Sequence, residues 1–356
     1  MPLAVTSYQG VRLRDDASLL NLAWTADERD VLDVDVDGCL RAVLEDARSA
    51  MRSSATAVSA PGSVNGARLS ASVAAFFETP AEGFDLHPAP GVGPLLAALA
   101  PVAHGRTGCV LGDSYPDFPH WLEQAGATCT SVRGTGSVLA DAEHLRRERP
   151  AVVLLERPSL FGDHYRDPEQ VAALCRALPG VPVVVDESNA NYCPPAFSAV
   201  RCVPDVDTLV VLRGLTKAYG LGGLRLAFAV SSSGLHDLLA RRLQVPVDRF
   251  ALLCAARLLA AGDATVSLRE AVALGKERAT ALLRGVGLRD LQPSSQHLPY
   301  VLAWDGEAEG VLANRGVQGK RHPVRLPPSG RRGFPYRLSV PLSEDRMREL
   351  VARLSP

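Results

Sequence analysis

Lysine is almost missing from this chain. Of its 38 basic residues only Lys217, Lys276 and Lys320 are lysines; the other 35 are arginines. Net charge is nearly absent as well, at −1, which removes the electrostatic footprint expected of a protein that binds nucleic acid or an anionic membrane surface. No uninterrupted apolar run approaches the roughly 18 residues that a membrane-spanning helix needs. The opening MPLAVTSYQGVRLRDD has no basic start followed by an apolar stretch, so the expectation is a soluble, unprocessed, cytoplasmic protein. The seven cysteines are odd in number and scattered, with no Cys-x-x-Cys and no clustered histidines. Neither a metal site nor a disulfide framework is expected from that spacing. What remains is 356 residues, 47% of them apolar and 22% charged, enough for one large or two ordinary cores.

The order of segments points to an α/β fold. Short apolar or β-branched runs occur at 109–113, 128–132, 151–156, 181–187 and 207–213, and helix-like segments at 118–127, 141–150 and 167–180 lie between them. Strands apolar on both faces, alternating with helices, predict a mostly parallel sheet covered on both sides. Ligands in such sheets sit beyond the carboxyl ends of the strands. Before this region, helices are expected at 37–54 and 68–78, separated by a Ser/Gly/Pro-rich loop, SAPGSVNG at 59–66. From about 236 onward amphipathic helices dominate, followed by short strands in PYVLAWDG and PYRLSVP. Those shifts divide the chain into 1–55, contributing to a small domain, 56–240 as a large domain and 241–356 as a smaller α/β domain.

A chain that prefers arginine keeps a lysine where an amine must lose its proton and attack a carbon, which guanidinium cannot do. Lys217 lies in VVLRGLTKAYGLGGLRLAFAV (210–230), in a glycine-rich link between two apolar runs, with Arg225 eight positions on. Asp186 follows the apolar run VPVVV and so falls at the carboxyl end of a buried strand, where an acid without a partner is costly. Two readings of it stand together: a carboxylate in the ligand crevice, or a helix N-cap in the DES triplet. HPAPGVGPLLAALAP (87–101) reads as a glycine turn opening a helix with Pro94 in its first turn, whose free N–H groups suit a phosphate.

These segments resemble the class I/II aminotransferases, enzymes of fold type I that depend on pyridoxal 5'-phosphate, and above all the histidinol-phosphate aminotransferase and threonine-phosphate decarboxylase branch. The resemblance runs from roughly 85 to 235, with a shorter match at YRLSVPLSEDRMREL. It implies a large domain with a mostly parallel central sheet, a smaller α/β domain, and a homodimer. It makes Lys217 the amine that condenses with the cofactor aldehyde and moves the substrate α-proton, and Asp186 the partner of the pyridine nitrogen. Arg225 with the backbone of Gly91, Val92 and Gly93 would hold the phosphate, and Tyr115 would stack on the ring. Arg337 would grip the substrate carboxylate. Trp24 falls in the substrate-facing N-terminal loop, where packing alone would equally account for it.

Four positions depart from the family pattern. ERPSLFG (156–162) replaces Asn-Pro-x-Asn-Pro-x-Gly and puts Ser159 where an asparagine would meet the cofactor's phenolic oxygen. Asn189 replaces a tyrosine with the same duty, and Asn189, Asn191 or Tyr192 is available to take it over. Gly214 replaces a hydroxyl ligand of the phosphate, and no tyrosine occurs near residue 60. Transamination of an amino acid is the leading expectation. A lyase, cyclase, decarboxylase or oxidase using the same cofactor is the alternative, and a non-catalytic ligand-binding descendant is a third reading.

Overall fold

The alternation of apolar side chains along the central strands decides the architecture. Val183 and Val185 pack into one apolar cluster and Val184 into another, and the same division separates Leu209 and Val211 from Val210 and Leu212. Successive side chains of a strand point to opposite faces, so these strands are covered on both.

The computed structural model of the chain describes residues 18–51, 64–161, 165–243, 247–324 and 333–355. A short strand β1 (Leu20–Asn21) comes first. The large sheet follows: β2 (Asp85–Ala89), β3 (Thr107–Leu111), β4 (Thr128–Val132), β5 (Val152–Glu156), β6 (Val183–Glu187), β7 (Leu209–Gly214) and β8 (Ala227–Ser231). Its order is β2-β8-β7-β6-β5-β3-β4. β7, β6, β5, β3 and β4 run parallel, while β8 is antiparallel to both of its neighbours. The five apolar runs read from the sequence are therefore the parallel strands. Helices Val64–Phe77, Val138–Glu148, Pro168–Ala177 and Arg249–Ala260 cover one face, and Val92–Leu99, Phe118–Gln124 and His236–Ala240 the other. The first long helix is Val36–Met51; 52–54 and 59–63 of the expected helix and loop lie outside the described residues, and Val64–Gly66 open the next helix.

A second, smaller sheet contains β9 (Leu291–Pro293), β10 (Tyr300–Ala303), β12 (Lys320–Arg321) and β13 (Tyr336–Ser339), and β11 (Val317–Gln318) pairs with β1. Helices Val266–Gly285 and Glu344–Leu354 contribute to its apolar cluster. The N-terminal strap is tied to this lobe: the Leu20 and Leu22 amides donate to the Gly316 and Gln318 carbonyls at 2.8 and 2.7 Å. Asp27 accepts from the Leu342 and Ser343 amides, both at 2.8 Å. No helix among the described residues is long and apolar enough to cross a membrane.

Candidate active site

The carboxyl ends of the parallel strands, the strap and the small sheet enclose a cavity of about 640 Å³. All ten residues singled out in the sequence line it: Trp24, Gly91, Val92, Gly93, Tyr115, Asp186, Asn189, Lys217, Arg225 and Arg337. Lys217 follows β7 after a turn. Its side chain has accessible surface, but that surface faces the cavity, and Nζ donates to Asn189 Oδ1 at 2.8 Å and to Ser188 Oγ at 3.4 Å. Burial pushes this amine down from the ordinary lysine value. Asp186 and Glu156 pull the other way, and Arg337 and Arg225 add to the push. Desolvation is thus the main cause of an amine more easily freed of its proton.

Asp186 is the penultimate residue of β6 and is 1% exposed. It does not cap a helix: its Oδ1 accepts the Ser188 amide at 2.8 Å, and the short turn Ala190–Tyr192 that follows has no side-chain cap. Burial raises its carboxyl above the usual range, opposed first by Lys217.

One end of the cavity is a cradle for an anion. Gly91, with φ of 108°, opens the helix Val92–Leu99 and presents its first free amides. A Cβ on Gly91 would lie 2.5 Å from Arg225 Nη2, so the absence of a side chain lets the guanidinium close over the helix start. Arg225 itself adopts a left-handed conformation, φ 48°, which a bulky residue holds only against strain. Gly214 has a similar cause: a Cβ there would approach Val92 Cγ2 to 3.3 Å. Thr216 lines the cavity two residues further along.

At the other end Arg337 is 5% exposed, donates to the Ala23 carbonyl at 2.8 Å and lies 4.3 Å from the Tyr300 ring centroid. Trp24 is part of this wall and covers the Lys320 amine at 3.9 Å. Burial and Arg337 push Lys320 down to about 7. Of the three candidates for the missing oxygen contact, only Asn189 is on the wall. Asn191 is taken up by Arg213 and the Gly214 carbonyl, and the Tyr192 hydroxyl donates to Glu28 at 2.8 Å. Ser159 accepts the Phe161 amide at 3.3 Å, and its neighbour Leu160 lines the cavity.

Several wall residues had no role in the sequence reading: Glu28, Glu156, Tyr300 and His322. Glu156 ends β5 directly opposite Asp186 in register. The rule that identified Asp186, an acid at the end of an apolar strand, applies equally to Glu156. Burial drives its carboxyl well up, reinforced by Asp186 and Asp113. Asp113, in the loop after β3, is pushed up to about 8 by burial. His322 Nε2 approaches Asp113 Oδ2 to 3.8 Å, yet burial holds this imidazole well below its usual value. Burial thus disfavours the charged form of both groups.

With this geometry in place, likeness to known proteins has a definite meaning. Residues 46–354 match the family model described as aminotransferase class I and II. The chain belongs to the class I and II aminotransferase family. An aromatic amino acid aminotransferase of Mycolicibacterium vanbaalenii is 30% identical over 242 residues, 65% of this chain and 66% of that one. A histidinol-phosphate aminotransferase of Chromobacterium violaceum is 32% identical over 167 residues, 47% of this chain and 43% of that one. The matched stretches thus span just under two thirds of the first relative and less than half of the second. Among solved structures, histidinol-phosphate aminotransferase from Sinorhizobium meliloti in complex with pyridoxal-5'-phosphate superposes with a TM-score of 0.68 at 18% identity, covering 89% of this chain and 85% of that one. Aspartate aminotransferase from Thermus thermophilus with maleate gives 0.64 at 19%, covering 95% and 91%. At such identities the likeness establishes the fold of this aminotransferase-family chain, which is fold type I.

Proposed function

We propose that this chain is a pyridoxal-phosphate-dependent aminotransferase acting on an amino acid. The observation that carries the reading is the single cavity in which a deprotonatable amine, Lys217, lies beside a strand-end acid, Asp186, and shares the wall with the Gly91–Arg225 cradle. The fit to the cofactor is chemical. A dianionic phosphate suits Arg225 and the first amides of the helix at Gly91. A flat ring suits Tyr115, and a basic heterocyclic nitrogen suits Asp186. When bound, the cofactor supplies an electron-withdrawing ring that weakens the bonds to an amino acid's α-carbon.

The chain's own groups do the rest. Arg337, held against Tyr300 and the Ala23 carbonyl, presents a planar donor pair to the substrate carboxylate. That orients the α-hydrogen toward the amine of Lys217, which takes the proton at Nζ and returns it to another carbon. Asp186, buried away from water, would face the ring nitrogen and keep it protonated. The strap residues Trp24 and Thr25 close the substrate end of the cavity. A homodimer and a cytoplasmic setting belong to the same proposal.

Purified protein supplied with the cofactor should turn yellow, lose the colour on hydride reduction, and carry the label on Lys217. With a panel of amino acids, formation of the amine form of the cofactor together with a keto acid supports transamination. Turnover without that form points to a lyase or decarboxylase, and a protein that takes up no cofactor overturns the reading. Sedimentation at micromolar concentration tests the dimer.

A further inference from the structure

Among the described residues, Glu156 serves no structural ion pair. Around it are Asp186 from the neighbouring strand, Asp113 from the loop after β3, the Lys217 amine and the Asn189 amide. The last two contacts form a chain: Asn189 Nδ2 donates to Glu156 Oε1 at 3.2 Å, and Asn189 Oδ1 accepts from Lys217 Nζ at 2.8 Å. We propose that Glu156 is a positioning residue that fixes, through the Asn189 side chain, where the free Lys217 amine points.

An amide set between a protonated amine and a carboxyl has one favourable orientation, oxygen toward the ammonium and nitrogen toward the carboxyl. The flipped amide would set donor against donor at the protonated Lys217 amine. Which orientation holds is decided by the member of the chain that is itself fixed. Asn189 belongs to an irregular turn and Lys217 to a loop, whereas Glu156 is locked by strand register opposite Asp186. Glu156 therefore directs Asn189, and Asn189 directs the amine. The oxygen of a carboxyl accepts from Nδ2 whether or not the acid is ionised, so the device works despite burial favouring the protonated acid. The inference goes beyond the aminotransferase reading and depends on it only for what the amine does once the cofactor is bound.

The scarcity of lysine makes a direct test available. On the full chain, freed of bound aldehyde by dialysis against hydroxylamine, amine labelling across pH is followed peptide by peptide. Lys217 is accessible from the cavity. Lys276, whose amine is held by the Ser294, Ser295 and Leu298 carbonyls at 3.2, 2.6 and 2.9 Å, reports whether the fold is intact. The charged and titratable groups around the Lys217 amine are Asp186, Glu156, Arg337, Arg225, Lys320 and His322, and all but residue 156 stay constant in E156A. That variant should lower the midpoint of Lys217 labelling by about one pH unit, because the protonated amine loses an aimed acceptor. N189A should do the same, and E156A/N189A should move it no further than N189A alone. E156Q, which keeps an acceptor oxygen at the same place, should restore the wild-type midpoint.

Three results would overturn the proposal: an unchanged midpoint in E156A, an equal shift when E156A is added to N189A, or a shift in E156Q as large as in E156A. If E156A exposes Lys276 to label, E156L takes its place in each comparison. Cofactor uptake by the wild type is scored separately, so failure of the aminotransferase reading and failure of the relay are distinguishable.

Discussion

Asp186 and Glu187 are adjacent in sequence, end the same strand and are both buried, yet their surroundings are opposite. Glu187 lies between two guanidinium groups, accepting from Arg157 Nη1 at 2.9 Å and Arg213 Nη1 at 3.1 Å. The Ala199 amide reaches it at 2.8 Å and the Ser198 hydroxyl completes its shell. Asp186, one residue earlier and on the other face, has the amide and hydroxyl of Ser188 and an amine that desolvation pushes toward neutrality. One acid is saturated and anchors strand ends to the loops around them. The other is left short of partners beside a cavity, the condition in which a bound ligand has something to satisfy. E187A removes the acid that pairs with both buried guanidinium groups and should lower unfolding free energy by about 3–5 kcal/mol in urea melts. D186N should change stability by less than about 1 kcal/mol, since the amide oxygen still accepts from Ser188, yet turnover should drop by about 10²–10⁴-fold. Equal effects of the two variants on stability would erase the contrast.

That contrast also explains what could be read from the sequence. Apolar runs with acids at their ends are local signals, and they located the parallel strands, Asp186 and Lys217. The saturated side was hidden because Arg157, Ser198 and Arg213 reach Glu187 from three separate segments. Glu156 carried the same local signal as Asp186, but ERPSLFG was read for its missing asparagine at position 159 rather than for the acid at its start. Glu28 and His322 arrive at the cavity through pairing between segments some 300 residues apart, such as Leu20 with Val317, and no periodicity within either segment announces it. The strap Leu20–Val31 has no amphipathic pattern to read, since bonds to the small lobe hold it.

The unsaturated side extends along the strand ends to Asp113, which sharpens the comparison as a function of pH. Its side chain is 6% exposed, and burial moves its carboxyl from 3.8 to about 8. A carboxyl raised in the native state binds its proton more tightly there than when unfolded. Its contribution to stability is complete below the unfolded value near 4 and is lost as pH rises through about 8. Between pH 6 and 8 the wild type should therefore lose about 2 kcal/mol relative to D113N. Paired thermal or urea melts at the two pH values measure this directly.

Gly91 tests the ligand side with little disturbance to the core. A methyl group there meets two obstacles: φ of 108° and an Arg225 Nη2 atom 2.5 Å from the new Cβ. The first costs about 1–2 kcal/mol in a non-glycine residue. The second is relieved by swinging the exposed, flexible guanidinium away, which opens the anion cradle. G91A should therefore reduce stability by about 1–2 kcal/mol while weakening cofactor binding by tenfold or more, about 1.4 kcal/mol. Gly223 serves as control, because a Cβ there meets nothing within 4 Å and the residue is not on the cavity wall. G223A should leave cofactor titrations unchanged and stability within about 0.5 kcal/mol. A G91A protein that binds cofactor as tightly as the wild type would show that Arg225 and the helix start do not act together on the phosphate. E187A, if it still folds at low temperature, should show the reverse pattern, with its loss in stability rather than in affinity.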